Sequence, residues 1–206
     1  MPFTLPKIYP ITDAFISRLS HAEQFGRLAE GGARVIQLRE KSASPLAFYE
    51  SAREVLALAE KINIKVIIND RADIAFALKA GGVHLGQDDL PPQAARRLLG
   101  KNAVIGFSTH GVEQAIEAVR LPVDYIAVGP VFATKTKQNP EKTIGLKGVE
   151  RVRKAVGNFP LVAIGGITLK NAGDVFGAGA DSVAVIGDLL GEPDRIIEKM
   201  KRFLLL

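Results

Sequence analysis

The chain alternates short runs of β-branched and aliphatic residues with longer amphipathic stretches, and the alternation persists from end to end. The apolar runs, each closed by glycine or polar residues, predict strands over 8–12, 35–40, 65–70, 83–86, 103–108, 125–132, 161–167 and 182–186. The intervening stretches carry helical periodicity. Over 44–62 the expected apolar stripe is Leu46, Tyr49, Val55, Leu58, Ala59 and Ile62, with Arg53, Glu54 and Lys61 outside it. Ser44 and Pro45 suit its N-cap and first helical position. Gly31-Gly32, Gly81-Gly82, Gly100 and Gly179 fall where helices are expected to stop. Strands joined by helix-length connections must run parallel, and eight such units close into a (βα)8, or TIM, barrel, expected to occupy 1–206 as one α/β domain. A doubly wound open sheet is the rival. It wants a glycine-rich turn after the first strand, where Thr12-Asp13-Ala14-Phe15 stands instead.

Composition changes this picture little. With 206 residues, 47% hydrophobic and 24% charged, the chain can bury a sizeable core. The absence of cysteine removes disulfides, thiolate nucleophiles and Cys-ligated zinc. Three prolines in the first thirteen residues, no apolar signal-peptide core and no run near the roughly 18 residues of a membrane helix lead us to expect a soluble, cytoplasmic protein without a membrane partner. The formal charge of +5 invites anions. The basic residues are scattered, with no block and no aromatic interleaving, which favours phosphorylated metabolites over nucleic acid. The apolar tail Phe203-Leu204-Leu205-Leu206 must pack on its own barrel or on a partner, which leaves room for a homo-oligomer.

Candidate chemistry lies where the predicted strands turn polar, the end at which (βα)8 barrels keep their active sites. On the second strand, period two places Gln37, Arg39 and Lys41 on one face and Ile36, Leu38 and Glu40 on the other. Two cations at a barrel mouth are costly without counter-charge, so an anionic ligand, or an ion pair with Glu40 or Glu30, is expected. Asp70 and Asp89 close the next two strands. They suit a Mg²⁺ site built from one or two carboxylates, water and phosphate oxygens, or else the caps of the helices that follow; spacing leaves Asp88 as an alternative to Asp89. The polar stretch 133–145 carries Thr134, Lys135, Thr136 and Lys137 and has the length of a lid. Gly165-Gly166 and Gly187 follow the seventh and eighth strands, where barrels commonly place a phosphate. Of the histidines, His21 is expected to be solvated at a helix start, while His84 and His110 fall within reach of a ligand.

Seven stretches taken in order resemble the thiamine phosphate synthase family. They are Tyr9-Pro10-Ile11-Thr12-Asp13, Gln37-Leu38-Arg39-Glu40-Lys41, Ile68-Asn69-Asp70-Arg71, the segment 82–89 ending in Gly86-Gln87-Asp88-Asp89, Gly106-Phe107-Ser108-Thr109-His110, the segment 129–137 from Gly129-Pro130 to Lys137, and Ala163-Ile164-Gly165-Gly166-Ile167. The resemblance implies a transferase of thiamine biosynthesis. It would condense 4-amino-2-methyl-5-hydroxymethylpyrimidine pyrophosphate with 4-methyl-5-(hydroxyethyl)thiazole phosphate, releasing pyrophosphate in a Mg²⁺-dependent, dissociative reaction. It implies that Arg39, Lys41, Asn69 and Lys137 hold the pyrophosphate and that Asp70 and Asp89 hold Mg²⁺. Gln37 and Ser108 would orient the pyrimidine with His84 nearby, and Thr134, Thr136, Gly166 and Gly187 would take the thiazole phosphate. The family usually has Ser where this chain has Gly187, followed by Asp188; a hydroxyl is lost and a carboxylate is expected near the phosphate. The rivals are a thiazole tautomerase on the same barrel, with His110 moving the proton, a non-catalytic sensor of a thiamine precursor, and a sugar-phosphate isomerase.

Overall fold

A computed structural model describes residues 3–134, 136 and 142–206. Its strands are β1 (Ile8–Thr12), β2 (Val35–Leu38), β3 (Lys65–Asn69), β4 (Gly82–Leu85), β5 (Val104–Thr109), β6 (Tyr125–Val128), β7 (Leu161–Ile164) and β8 (Ser182–Val185). All neighbouring pairs run parallel, and β8 pairs with β1, so the sheet closes into a barrel. The helices are α1 (Ala14–Ser17), α2 (His21–Glu30), α3 (Pro45–Ile62), α4 (Ala72–Ala77), α5 (Pro92–Leu99), α6 (Val112–Ala118), α7 (Gly145–Val156), α8 (Ala172–Gly177), α9 (Gly187–Leu190) and α10 (Ile196–Phe203). Closure excludes the open doubly wound sheet.

Every strand begins within a residue of its expected place. Several end sooner, because alternation continues into the loops after the ladder has stopped: Arg39 and Glu40 lie beyond β2, and residues 129–132 lie beyond β6. Gly82 begins β4 instead of ending a helix, and a side chain there would strike the Val104 backbone on the neighbouring strand. On α3 the buried face is Phe48, Ala52, Val55 and Ala59. The stripe expected from sequence mixed two faces: Leu46 is 70% exposed and Ile62 53%. Ser44 caps this helix as expected, accepting from Ala47 N at 3.2 Å. Phe203 is buried, while Leu204, Leu205 and Leu206 remain exposed.

The pleat divides the apolar residues into two cores. Ile36, Leu38, Ile68, Val83, Leu85, Ile105 and Val183 point outward beneath the helices. Tyr9, Ile11, Val35, Ile67, Val104, Tyr125, Ala127, Val162 and Ala184 fill the barrel, with Phe3 and Leu5 packed against them. The Phe3 and Tyr125 ring centroids lie 6.1 Å apart. The inner core leaves the other mouth to polar side chains.

Two equivalent clamps tie helices to the N-terminal ends of later strands. Arg96 of α5 donates to the carbonyls of Ala103 (2.6 Å) and Pro122 (3.1 Å) and to Asp124 (2.7 Å). The same Asp124 oxygen accepts from Ile105 N at 2.7 Å. Arg153 of α7 donates to the carbonyls of Gly179 (2.7 Å) and Phe159 (2.9 Å) and to Asp181 (2.5 Å), which accepts from Leu161 N at 2.8 Å. The Arg–Asp separation is 28 residues in both. Arg153→Ala leaves these carbonyls and the carboxylate without their donor, so urea unfolding should show a loss of about 2–3 kcal/mol. Turnover of the folded variant should be unchanged, because the clamp lies at the face opposite the polar mouth.

Candidate active site

The C-terminal ends of β1 to β5 bring one group of side chains together. Thr12 and Leu38 are partners in the β1–β2 ladder, which places Asp13 and Arg39 side by side just beyond it. Asp13 uses one carboxylate oxygen to cap α1, accepting from Ile16 N at 3.1 Å, and the other to pair with the Arg39 guanidinium. Lys41 donates to Asp70 at 2.5 Å. Both cations expected to need an anionic ligand are therefore matched within the chain, and by carboxylates other than Glu40 or Glu30.

Glu40 has a different task. It accepts from Ser42 N at 2.7 Å, Ala43 N at 3.1 Å and Ser42 Oγ at 3.1 Å, and it meets His21 Nε2 at 3.3 Å. Burial raises its pKa, but these donors outweigh burial and bring it down to about 2. His21 is not solvated, as expected from sequence, but buried, its other nitrogen 2.8 Å from Thr12 Oγ1. Thr12 Oγ1 also accepts from Arg39 N at 3.3 Å, so the backbone carrying Arg39 and Lys41 is held from both sides.

Neither Asp70 nor Asp89 caps a helix. The N-cap of α4 is Arg71 and that of α5 is Pro91, and neither helix start has a side-chain cap. Asp70 adopts the left-handed conformation (φ 63°), with its N–H on His84 O at 2.8 Å. Asp89 accepts from Gly86 N at 2.6 Å. Burial, together with the Asp70 carboxylate beside it, pushes Asp89 above the ordinary carboxylate range, against the pull of Gly86 N–H and Lys41. Asp88 is exposed and forms no part of this pair. Among the described residues no three His, Cys, Asp or Glu side chains form a metal-binding group.

Deeper in the barrel, Asn69 is buried opposite His84 in the β3–β4 ladder. His84 Nδ1 lies 2.9 Å from Tyr125 Oη and its Nε2 2.9 Å from Ser108 Oγ. Gln37 Nε2 donates to Tyr9 Oη at 3.3 Å, and the two tyrosine hydroxyls are 2.9 Å apart. Both tyrosines sit on strands, and the strand pattern alone gives no sign of this contact. His110 Nδ1 donates to Gly129 O at 2.8 Å.

The loops after β6, β7 and β8 form a second group. Thr136 N donates to Thr134 Oγ1 at 3.3 Å. A side chain on Gly166, which has φ 64°, would strike Phe132 and Ala133, so this close approach requires glycine. Gly187 faces Thr136, whose Oγ1 would lie 3.8 Å from a Cβ added at Gly187. Asp188, next to Gly187, accepts from Leu169 N at 3.0 Å through one carboxylate oxygen, so the acid lies against the loop that follows β7. Lys137 lies outside the described residues, so its expected role is not tested by this geometry.

A parallel barrel whose polar mouth joins paired carboxylates, cations and glycine loops defines a (βα)8-barrel enzyme of phosphorylated small molecules. The thiamine monophosphate synthase family model matches residues 8–189, and the chain belongs to that family. It is 45% identical over 189 residues to a thiamine-phosphate synthase of Chloroflexus aurantiacus, covering 91% of this chain and 87% of the relative. A thiamine-phosphate synthase of Clostridium novyi is 44% identical over 189 residues, 91% and 92% of the two chains. Among solved structures, a thiamine phosphate pyrophosphorylase from Pyrococcus furiosus superposes with a TM-score of 0.85 at 34% identity, covering 96% of this chain and 93% of its own.

Burial lowers the pKa of His84 to about 4, partly opposed by the charge of Asp70. In the unfolded chain the ring protonates near pH 6.5. The unfolded state therefore binds more protons between these values, and stability falls as pH drops from about 6.5 to 4. The contribution is on the order of 3 kcal/mol. Urea midpoints measured across this range should fall more steeply for the wild type than for His84→Gln.

Proposed function

We propose that the chain condenses an aminopyrimidine pyrophosphate with a thiazole phosphate, giving thiamine phosphate and pyrophosphate. The observation that carries this reading is the meeting of Lys41, Asp70 and Asp89 at the barrel mouth that also holds the polar side chains Gln37, Asn69, His84 and Ser108, in a member of this family. Arg39, Lys41, Asn69 and Lys137 hold the pyrophosphate, Gln37 and Ser108 orient the pyrimidine, and Thr134, Thr136 and the backbone of Gly166 and Gly187 take the thiazole phosphate. The C–O bond to the pyrophosphate breaks first, the electron-rich aminopyrimidine stabilises the resulting methylene cation, and the thiazole nitrogen attacks it. Such a reaction asks for leaving-group stabilisation and alignment more than for a base. No nucleophilic side chain is needed, and a biosynthetic role of this kind fits the cytoplasm; no helix among the described residues is long and apolar enough to cross a membrane.

The charge balance supports a metal. Among the described residues of this cluster, Arg39 and Lys41 stand against Asp13, Asp70 and Asp89, a balance of minus one when all three acids are ionised. That favours no pyrophosphate. A divalent cation reverses the sign, and two adjacent carboxylates with phosphate oxygens suit Mg²⁺, which rarely uses an all-protein cage. Asp70 and Asp89 would hold it, and when bound it would neutralise charge on the leaving pyrophosphate.

Pyrophosphate release should require Mg²⁺ and both substrates, with thiamine phosphate formed in equal amount. Release without product, or product without Mg²⁺, would overturn the corresponding part of the reading. Asp70→Ala should lower turnover by at least about a hundredfold, close to 3 kcal/mol on the barrier. At Gly187 an added Cβ would meet Thr136 Oγ1 at 3.8 Å, an ordinary contact, so Gly187→Ser should fold normally and lower the KM for thiazole phosphate; an unchanged KM would mean that the missing hydroxyl is not a contact for this substrate.

A further inference from the structure

Inside the barrel, five polar side chains from five strands or strand ends form one unbroken series: Gln37, Tyr9, Tyr125, His84 and Ser108. Its links measure 3.3, 2.9, 2.9 and 2.9 Å in that order. All but Ser108 are buried, and Ser108 is half-buried at the end of β5. Gly106 makes the central link achievable, since a Cβ there would lie 2.5 Å from His84 Nδ1 and would also strike the Tyr125 ring.

A series of this kind has a direction, because each hydroxyl and the neutral imidazole carry one proton apiece. The Gln37 amide nitrogen only donates, so Tyr9 Oη accepts from it. If Tyr9 also accepted from Tyr125, its own buried proton would have no acceptor among the described residues, at a cost of about 1–3 kcal/mol. Tyr9 therefore donates to Tyr125, and Tyr125 donates to His84 Nδ1. The imidazole proton is then on Nε2 and is given to Ser108 Oγ. The Ser108 proton is the one left over, and it is free for a ligand at the polar mouth.

We infer that Tyr9 and Tyr125 are positioning residues that fix His84 as its Nε2–H tautomer, making Ser108 an obligatory hydrogen-bond donor to the pyrimidine substrate. The selectivity consequence is chemical. The site demands an acceptor atom above Ser108, and a substrate analogue that presents an N–H there leaves two donors facing one another. The part concerning substrate rests on the proposed reaction; the tautomer does not.

Two measurements test it. In the free, unliganded protein, the ¹⁵N shifts of His84, assigned by comparison with His84→Gln, should show a single Nε2–H tautomer. An Nδ1–H tautomer or a mixture would overturn the direction of the series whatever the enzyme's substrates. In steady-state kinetics, Tyr125→Phe and Ser108→Ala should each lower kcat/KM for the pyrimidine substrate about tenfold or more. The double variant should be no worse than Ser108→Ala, because Tyr125 acts only through that hydroxyl. Multiplying losses would assign Tyr125 a separate structural role and sink the proposal. Absence of any condensation in the wild type would remove the proposed function and the substrate half of the inference, while the tautomer result would stand alone.

Discussion

Closing eight strands into a ring creates an interior that must be filled by side chains, and much of the molecule follows from how it is filled. The lower part is apolar, with Tyr9, Ile11, Val35, Ile67, Val104, Tyr125, Val162 and Ala184 meeting across the axis and Phe3 and Leu5 against them. Higher up, the inward positions are Gln37, Asn69, His84 and Ser108, and polar groups at that depth must find partners in one another or in a ligand. The tyrosines serve both halves: their rings belong to the apolar filling, and their hydroxyls begin the polar one. Burial raises Tyr9 to about 12 and Tyr125 well above the ordinary phenol value, so both remain protonated donors at any physiological pH.

Above this interior the site is governed by charge. Arg39 is held by Asp13, an acid that also caps α1, so its guanidinium is aimed before any substrate arrives. The Glu40–His21–Thr12 contacts fix the backbone between the two cations. On the other side, Asp89 is raised by burial and by its neighbour Asp70, the condition of two carboxylates sharing a space that wants more positive charge than Lys41 supplies. Catalysis by pre-aligned charge needs this rigidity, because reorganisation during the reaction would cost what the charges contribute.

The strand order and the polar end of β2 were legible because period two is a local property of the sequence, although Arg39 and Lys41 themselves lie beyond the strand. Their partners were not, since Asp13 meets Arg39 only through the β1–β2 register, and Lys41 meets Asp70 only across β2 and β3. The polar ending Thr12-Asp13 was the available signal. His21 was misread as solvated because a histidine at a helix start looks exposed when the chain packed against it is unseen. The α3 stripe was misassigned for a related reason. Leu46, Leu58 and Ile62 are apolar yet exposed, and hydrophobicity alone gives no sign of which apolar face a helix buries. The hydroxyl contacts of Tyr9 and Tyr125 depend on four strands at once, which no local pattern shows.

The backbone at Asp70 has one more implication. A left-handed conformation at φ 63° suits glycine, and among other residues asparagine tolerates it best. Position 70 is thus one at which protein stability and the carboxylate make opposing demands on the side chain. Random selection for thermal tolerance alone would drift toward glycine or asparagine there and discard the acid. A stabilised version of this barrel must gain its heat resistance elsewhere, at the Arg–Asp clamps or the exposed leucines, because the loop that carries the acid owes its shape to function.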